Sequence, residues 1–544
     1  MQKHFAVADA DKVADRLEAM TDVLVVGGGL AGGWAATAAA RGGASVVLVD
    51  KGYFGTSGVT ATAGPGHWWV PPDPSKRAAA IEDRMGRAFG LADSRWMARI
   101  LDTTWRTLPT LSPYYDFPKD ATGEVHYRGL RGPEYLRALR KQAEDAGVVI
   151  LDQSPALQLL LHRDGSVAGA TGVQRQVGSG RIWVIRAGAV ILATGGCAFR
   201  SRLLGSHNNT GDGYLMGVEA GAELSGMEFS NYHTVALAES SQTRSASYSF
   251  ADFFDAEGNL LPTQGRTDYT RVLARALLRG PVYATLARTP LDLREIVSHI
   301  QPAFVATFRR RGIDPYTEKF EITLHGEGTV RGIGGLRIVD DACQTAVPGL
   351  FAAGDAASRE LIAGATSGGG NQNSAWALSS GLWSGQEAAA RARRTGPRAT
   401  EPATEVGQAG LRPAKSPKSA TAADARALVQ IVKDELLPYD KVMFRCGDRL
   451  RDSLARLDQA WDDVRDHLAG EGTAAVAARE AAALVASARW SYGAAAARKE
   501  SRGMHQREDC PDSDPRLARR QLVGGLDRVW TRFEGDAERT WVQP

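Results

Sequence analysis

The stretch from Val23 to Asp50, VLVVGGGLAGGWAATAAARGGASVVLVD, constrains the fold more than any other part of the chain. An apolar run enters Gly27-Gly28-Gly29-Leu30-Ala31-Gly32, a helix of small residues follows, and a second apolar run ends at Asp50. Strand, glycine turn, helix and acid-terminated strand in that order make a dinucleotide cradle. Gly27 permits the tight turn, Gly29 lets the backbone approach a pyrophosphate at the positive helix end, and Gly32 allows close packing of helix on strand. Asp50 places a carboxylate where it can accept from both ribose hydroxyls.

At 544 residues the chain exceeds one ordinary core, so two or three domains are expected, with room to bury a large cofactor. The 65 basic and 62 acidic residues nearly cancel, which gives no argument for nucleic acid or an anionic membrane surface as partner, and no nucleic-acid partner is expected. No run approaches the roughly 18 apolar residues of a membrane span, and the first twenty residues lack the apolar core of a secretory signal. A cytoplasmic protein is expected. Cys197, Cys343, Cys446 and Cys510 stand singly, without C-x-x-C or ferredoxin spacing, so no iron–sulfur cluster, other metal site or disulfide is expected within the chain.

Beyond the cradle, the small residues Gly55 to Gly64 suit a backbone running past a flat ring system. Tyr135, Leu136, Leu139 and Ala143 share one face of a helix expected over 133–146. Strands are expected over 148–151, 156–161 and 187–192, the last stopping at Ala193-Thr194-Gly195-Gly196, where glycines let backbone approach a cofactor. From about Met227 to Arg331 the strand–helix rhythm is lost, and it returns at Gly334-Gly335-Leu336 and at Leu350 to Asp355. That is the pattern of one domain split by an insertion. Residues 395–423 are rich in Pro, Thr, Ala and Lys and are expected to form a mobile loop or linker. From Asp424 helix formers dominate.

Seven segments in order carry a resemblance: the Gly27/Gly29/Gly32/Asp50 cradle, 193–196, Thr210-Gly211-Asp212-Gly213, Met227-Glu228-Phe229, 347–355, Gly369-Gly370-Asn371, and Arg498 to His505. Together they resemble the flavoprotein subunit family of succinate dehydrogenase and fumarate reductase, which also contains L-aspartate oxidase and the adenylylsulfate reductase flavoprotein. The resemblance implies an α/β architecture: a Rossmann-like FAD-binding domain (20–226 and 332–394) interrupted by an α+β capping domain (227–331), then the linker and a C-terminal helical domain (424–544). It also implies FAD and hydride transfer at flavin N5. The expected cofactor-binding set is Gly27, Gly29, Leu30, Ala31, Gly32, Asp50, Lys51, Ser57, Gly58, Thr60, Ala193, Thr194, Gly195, Gly196, Asn209, Thr210, Asp212, Gly354, Asp355, Asn371 and Ser374. FAD is expected to be non-covalent, because Gly58 stands where respiratory members carry the attachment histidine. Gly369-Gly370-Asn371, opening a helix, would aim backbone N–H groups at the N1/O2 edge of the ring.

Three residues fall where the family places its catalytic groups: His233 after Met227-Glu228-Phe229, Arg271 as proton-transfer arginine, and His325 before the returning strand. Each departs from the pattern: no Pro follows His233, Val272 replaces the Asp after Arg271, and the spacer after His325 is long. His67 is expected in the core or facing the cap. Ser367 stands where dicarboxylate-handling members carry an arginine fork, and Arg331 is the residue placed to fill the vacancy. The expected function is therefore an FAD-dependent oxidoreductase acting on a small substrate other than a C4 dicarboxylate. Two alternatives stand beside it: an adenylylsulfate-reductase-like flavoprotein with a ferredoxin-like iron–sulfur partner, and a non-redox flavoprotein such as an isomerase or hydratase. No second glycine fingerprint offers a site for NAD(P)H, and a homo-oligomer is left open.

Overall fold

The computed structural model describes residues 16–543 apart from 120, 121, 126, 128, 244, 267, 397, 399, 400 and 416–421. Its main sheet is built on β1 (Arg16–Val26), β2 (Val46–Val49), β3 (Val149–Leu151), β4 (Ala156–His162), β5 (Val167–Gln174) and β6 (Arg181–Leu192). The strand order is Ala403–Glu405, β4, β5, β6, β1, β2, β3, and Leu350–Ala352 also pairs with β6. Strands β3, β2, β1 and β6 and the segment Leu350–Ala352 are parallel neighbours, whereas β4 and β5 form an antiparallel extension. β6 serves both halves. Its first six residues pair with β5 and its last three with Leu350–Ala352, while β1 runs along its other edge.

Successive residues of β1 enter different cores: Val23 and Val25 pack in one, Leu24 and Val26 in the other. A strand covered on both faces reads as an unbroken apolar run, which is why this segment shows no alternation. The helix Leu30–Arg41 is buried from Leu30 through Ala39. It is crossed by the long helix Gly369–Thr395 at very short range, where a Cβ on Gly381 or Gly385 would lie 2.4 or 2.3 Å from the carbonyl oxygens of Ala31 and Ala35.

Between Met227 and Arg331 the chain forms a separate antiparallel sheet in the order Tyr232–Leu237, Phe320–Gly328, Val282–Thr285, Asp252–Phe254. Its own core takes Leu273, Val297, Phe304 and Phe308 from the helices Tyr269–Leu277, Leu291–Ile300 and Pro302–Arg310. The C-terminal part packs the helices Ala422–Leu436, Gly447–His467 and Thr473–Ala497. It then departs from the purely helical expectation: Gln521–Gly524, Trp530–Phe533 and Thr540–Trp541 return as strands and join Leu224–Ser225 and Gly335–Leu336 in a five-stranded sheet. Runs of two to four residues carry too little period to announce a strand.

The stretch expected as a loop or linker also differs, since Ala403–Glu405 adds an antiparallel edge strand to β4. Residues 397, 399, 400 and 416–421 of that stretch, and the first fifteen of the chain, lie outside the described residues. Among the described residues no helix is long and apolar enough to cross a membrane.

Candidate cofactor cleft

A cleft of about 530 Å³ opens beyond the carboxyl ends of the parallel strands, where Val26, Val49, Ala193 and Ala353 line it. Crevices at that end of an open α/β sheet are where such folds take their ligands. Gly27 turns the chain at φ +108°, and a Cβ there would lie 2.4 Å from the Ala193 carbonyl oxygen. A Cβ on Gly32 would lie 1.8 Å from the Gly27 carbonyl oxygen, so Gly32 seats the helix on the turn and does not face the cleft. Gly29 is different: it lines the cleft with no atom within 4 Å of its Cβ position. As the N-cap of Leu30–Arg41 it makes no side-chain cap. The N-terminus of a buried helix, uncapped and bordered by open space, suits a pyrophosphate.

Asp50 is buried, and its carboxylate accepts from the amides of Gly28 (2.6 Å) and Gly52 (2.7 Å) and from the Ser57 hydroxyl (3.0 Å). These three bonds hold the glycine turn, a task beyond the ribose contact expected from sequence. Lys51 is drawn to Thr210 (2.8 Å), Asp212 (2.5 Å) and Glu480 (2.8 Å), the last from the helix Thr473–Ala497. Burial lowers its pKa, but the two carboxylates outweigh burial and keep the ammonium charged. Asp355 pairs with Arg359, which also donates to the Thr329 carbonyl at 2.8 Å.

Of the expected cofactor-binding set, Gly27, Gly29, Leu30, Ala31, Asp50, Lys51, Ser57, Gly58, Thr60, Ala193, Thr194, Gly195, Asn209, Asp212, Gly354, Asp355, Asn371 and Ser374 line the cleft. Gly196 packs against Thr329, and Thr210 acts through Lys51. Asn373, missed in the sequence, also lines the cleft, and both polar atoms of its buried side-chain amide lack a partner. Its place two residues after Asn371, as the fifth residue of Gly369–Thr395, was the available signal. The open Gly29 position, the uncapped helix and this orphaned amide fit a dinucleotide as large as FAD.

The capping sheet and its helices supply the far wall: Tyr232, Thr234, Tyr248, Tyr269, Ile300, Gln301 and Arg331. Arg331 lies over the Tyr232 ring, 4.7 Å to the centroid, with Glu327 at 3.7 Å, and its buried Nε has no partner. Tyr269 is held protonated by burial, which raises its pKa.

The expected catalytic residues are not brought to this wall. His233 shares a strand with Tyr232 and Thr234, but its Nδ1–H donates to the Asn231 carbonyl at 2.8 Å and its ring meets Tyr439 edge-on. Burial lowers its pKa to about 4, leaving it neutral. His325 donates from Nε2 to the Ser240 carbonyl at 2.6 Å. Arg271 donates to the side-chain oxygen of Gln506 at 2.8 Å and lines a separate groove. The Ser367 hydroxyl accepts from the Gly369 amide at 3.3 Å, outside the cleft lining. His67 is a core residue, with the Tyr135 hydroxyl 3.2 Å from its Nε2.

The Met227-Glu228-Phe229 and Arg498–His505 motifs meet in a buried charge network instead. Arg498 pairs with Glu228 at 2.7 Å and Glu500 at 2.9 Å, all three fully buried, and Arg502 adds a second bond to Glu500. His505 lies 2.8 Å from Arg445, which donates to the Glu228 carbonyl. Their work is to fasten the C-terminal segment.

A doubly covered parallel sheet with a glycine turn at its carboxyl edge, a capping sheet over the cleft and this cleft lining define a dinucleotide-dependent flavoprotein. Residues 22–372 match the FAD binding domain family, and residues 435–527 match the fumarate reductase flavoprotein C-terminal family. The chain is 30% identical to L-aspartate oxidase of Mycobacterium tuberculosis, over 93% of this chain and 95% of that one. It is 25% identical to one component of the fumarate reductase (CoM/CoB) of Methanothermobacter marburgensis, over 92% of this chain and 96% of that one. Its fold superposes on E. coli quinol fumarate reductase FrdA with a TM-score of 0.78 at 20% identity, covering 97% of each chain. The chain belongs to the flavoprotein family of fumarate reductase and succinate dehydrogenase, and it is an FAD-dependent oxidoreductase.

Proposed function

We propose that this chain moves a hydride between flavin N5 and a small substrate that carries one anionic group and is not a C4 dicarboxylate. Bound FAD supplies the two-electron acceptor or donor. The observation that supports the reading is the charge of the capping wall. Among the described residues lining the cleft the cations are Lys51 and Arg331, and Lys51 is already engaged by Asp212 and Glu480. One carboxylate can therefore be clamped by the Arg331 guanidinium, a charged contact worth roughly 1.5–3 kcal/mol. A second would meet only hydroxyls and amides. Glu327 and the Tyr232 ring fix the plane of the guanidinium, and the Tyr269 hydroxyl on the same wall is the proton-holding group that takes the role expected of Arg271. The electron acceptor in this reading is dioxygen or a ferredoxin-like iron–sulfur partner.

L-Aspartate oxidation is the second reading, favoured by relatives of that name. It demands two carboxylate anchors in the cleft. Anaerobic mixing of the FAD-loaded chain with monocarboxylates and with C4 dicarboxylates, followed by flavin absorbance, separates the two. Bleaching by a monocarboxylate alone supports the proposal, and bleaching by L-aspartate or succinate alone rejects it.

A further inference from the structure

The groove that holds Arg271 is a second, separate feature, outside the cofactor cleft. It encloses about 400 Å³ between the helix Tyr269–Leu277, the segment after Leu260 and the Phe444 ring. Arg266, Arg271, Arg275 and Arg279 line it against a single lining carboxylate, Asp268. Arg271 and Arg275 stand at i and i+4 on that helix and Arg279 follows just past its C-terminal end, a like-charged arrangement that is unfavourable without a counter-charge.

The available acids do not neutralise it. Asp268 is taken up by Arg266 at 2.8 Å. Glu508 reaches Arg275 only at 3.4 Å and is bound more closely by Arg449 at 2.6 Å. Arg279 has no ion pair among the described residues, and the buried Nε of Arg271 has no hydrogen-bond partner. Arg271 and Arg275 lie against the Phe444 ring, 5.3 and 4.4 Å from its centroid. Burial and the neighbouring Arg275 lower the pKa of Arg271, the signature of a cation short of negative charge.

We propose that this groove is a binding site for a small, multiply charged phosphate anion. Guanidinium forks match phosphate oxygens in bidentate fashion, and a groove of this size takes a diphosphate but not a folded partner. The site is independent of the hydride-transfer reading, since Arg271, Arg275 and Arg279 do not line the cofactor cleft.

The test is calorimetric titration of the FAD-loaded chain, whose dinucleotide site is filled, with pyrophosphate, ADP and adenosine. Pyrophosphate and ADP are expected to bind and adenosine not. Binding of ADP without pyrophosphate would mean that a nucleoside is recognised and would overturn the proposal, as would no binding of either. The double variant Arg271→Gln/Arg279→Gln is expected to weaken pyrophosphate at least tenfold with flavin absorbance and circular dichroism unchanged. Glu508→Gln, which removes a competing carboxylate, is expected to tighten it and to steepen its salt dependence. Unchanged affinity in both variants would show that the anion sits elsewhere.

Discussion

At the scale of single residues, two guanidiniums lie in different recesses of the molecule. Arg271 resembles the proton-transfer arginine by its place in the chain, yet the structure turns it to an outer groove and gives the cleft Arg331. Arg331→Gln is expected to lower kcat/KM at least a hundredfold, about 3 kcal/mol, with FAD content unchanged. Arg271→Gln and His233→Asn are expected to keep turnover within a few-fold of the parent, measured on protein of equal flavin content. A pH–rate inflection near 6.5 should be absent from His233, because burial holds its pKa to about 4.

The glycines and Asp50 were legible because strand, turn and terminal acid leave them few other uses. The orientation of His233 was not. Successive residues of a strand face opposite ways, and no motif fixes which parity meets the cleft, so Tyr232 and Thr234 took the place expected of their neighbour. Tyr269 stands two residues before Arg271, at the start of the same helix, and residues two apart on a helix point to nearly opposite sides, so Arg271's place in the chain did not announce it.

At the scale of elements, the contact between Leu30–Arg41 and Gly369–Thr395 sets how closely the cradle can be built. Both helices are buried over long stretches, and the absence of a Cβ at Gly385 lets one backbone lie against the other. Gly385→Ala forces a methyl to within 2.3 Å of the Ala35 carbonyl oxygen. The variant is expected to lose about 1–3 kcal/mol in denaturant titration and to retain less flavin after gel filtration. Unaltered stability would mean that the crossing relaxes freely. Helices such as Gly132–Asp145 were plain from the period of their apolar residues. Short strands such as Ala403–Glu405 and Thr540–Trp541 were not, since runs of two or three residues carry no period and only their pairing, with residues 160–162 and with residues 530–531, makes them strands.

At the scale of the whole molecule, the buried ion network ties the middle of the chain at Glu228 to the C-terminal segment at Arg498 and Glu500 and should set its pH response. Burial and the neighbouring Glu228 raise the Glu360 pKa from 4.5 to about 8, so the group is protonated in the fold where the unfolded chain would ionise it. The resulting penalty is absent below pH 4.5 and grows as pH rises toward 8. Glu360→Gln mimics the protonated acid and can still accept from Ser225. Its Tm is expected to exceed the parent's by several degrees at about pH 8.5 and to converge with it near about pH 5. A constant difference across that range would contradict a protonated Glu360.

The order of the seven motifs gave the family and the split sheet. It did not show that two of them, 227–229 and 498–505, meet each other, because a buried ion pair between residues so far apart has no local signature.

The most direct test of the central claim is steady-state turnover of L-aspartate, succinate and fumarate by the FAD-loaded chain with artificial electron carriers. A cleft wall with one available arginine predicts rates far below an ordinary enzymatic value for all three, and a measurable rate for a monocarboxylate that is lost in Arg331→Gln. Turnover of any of the three at on the order of 10 per second would contradict the account, since it would require a second carboxylate anchor in the cleft.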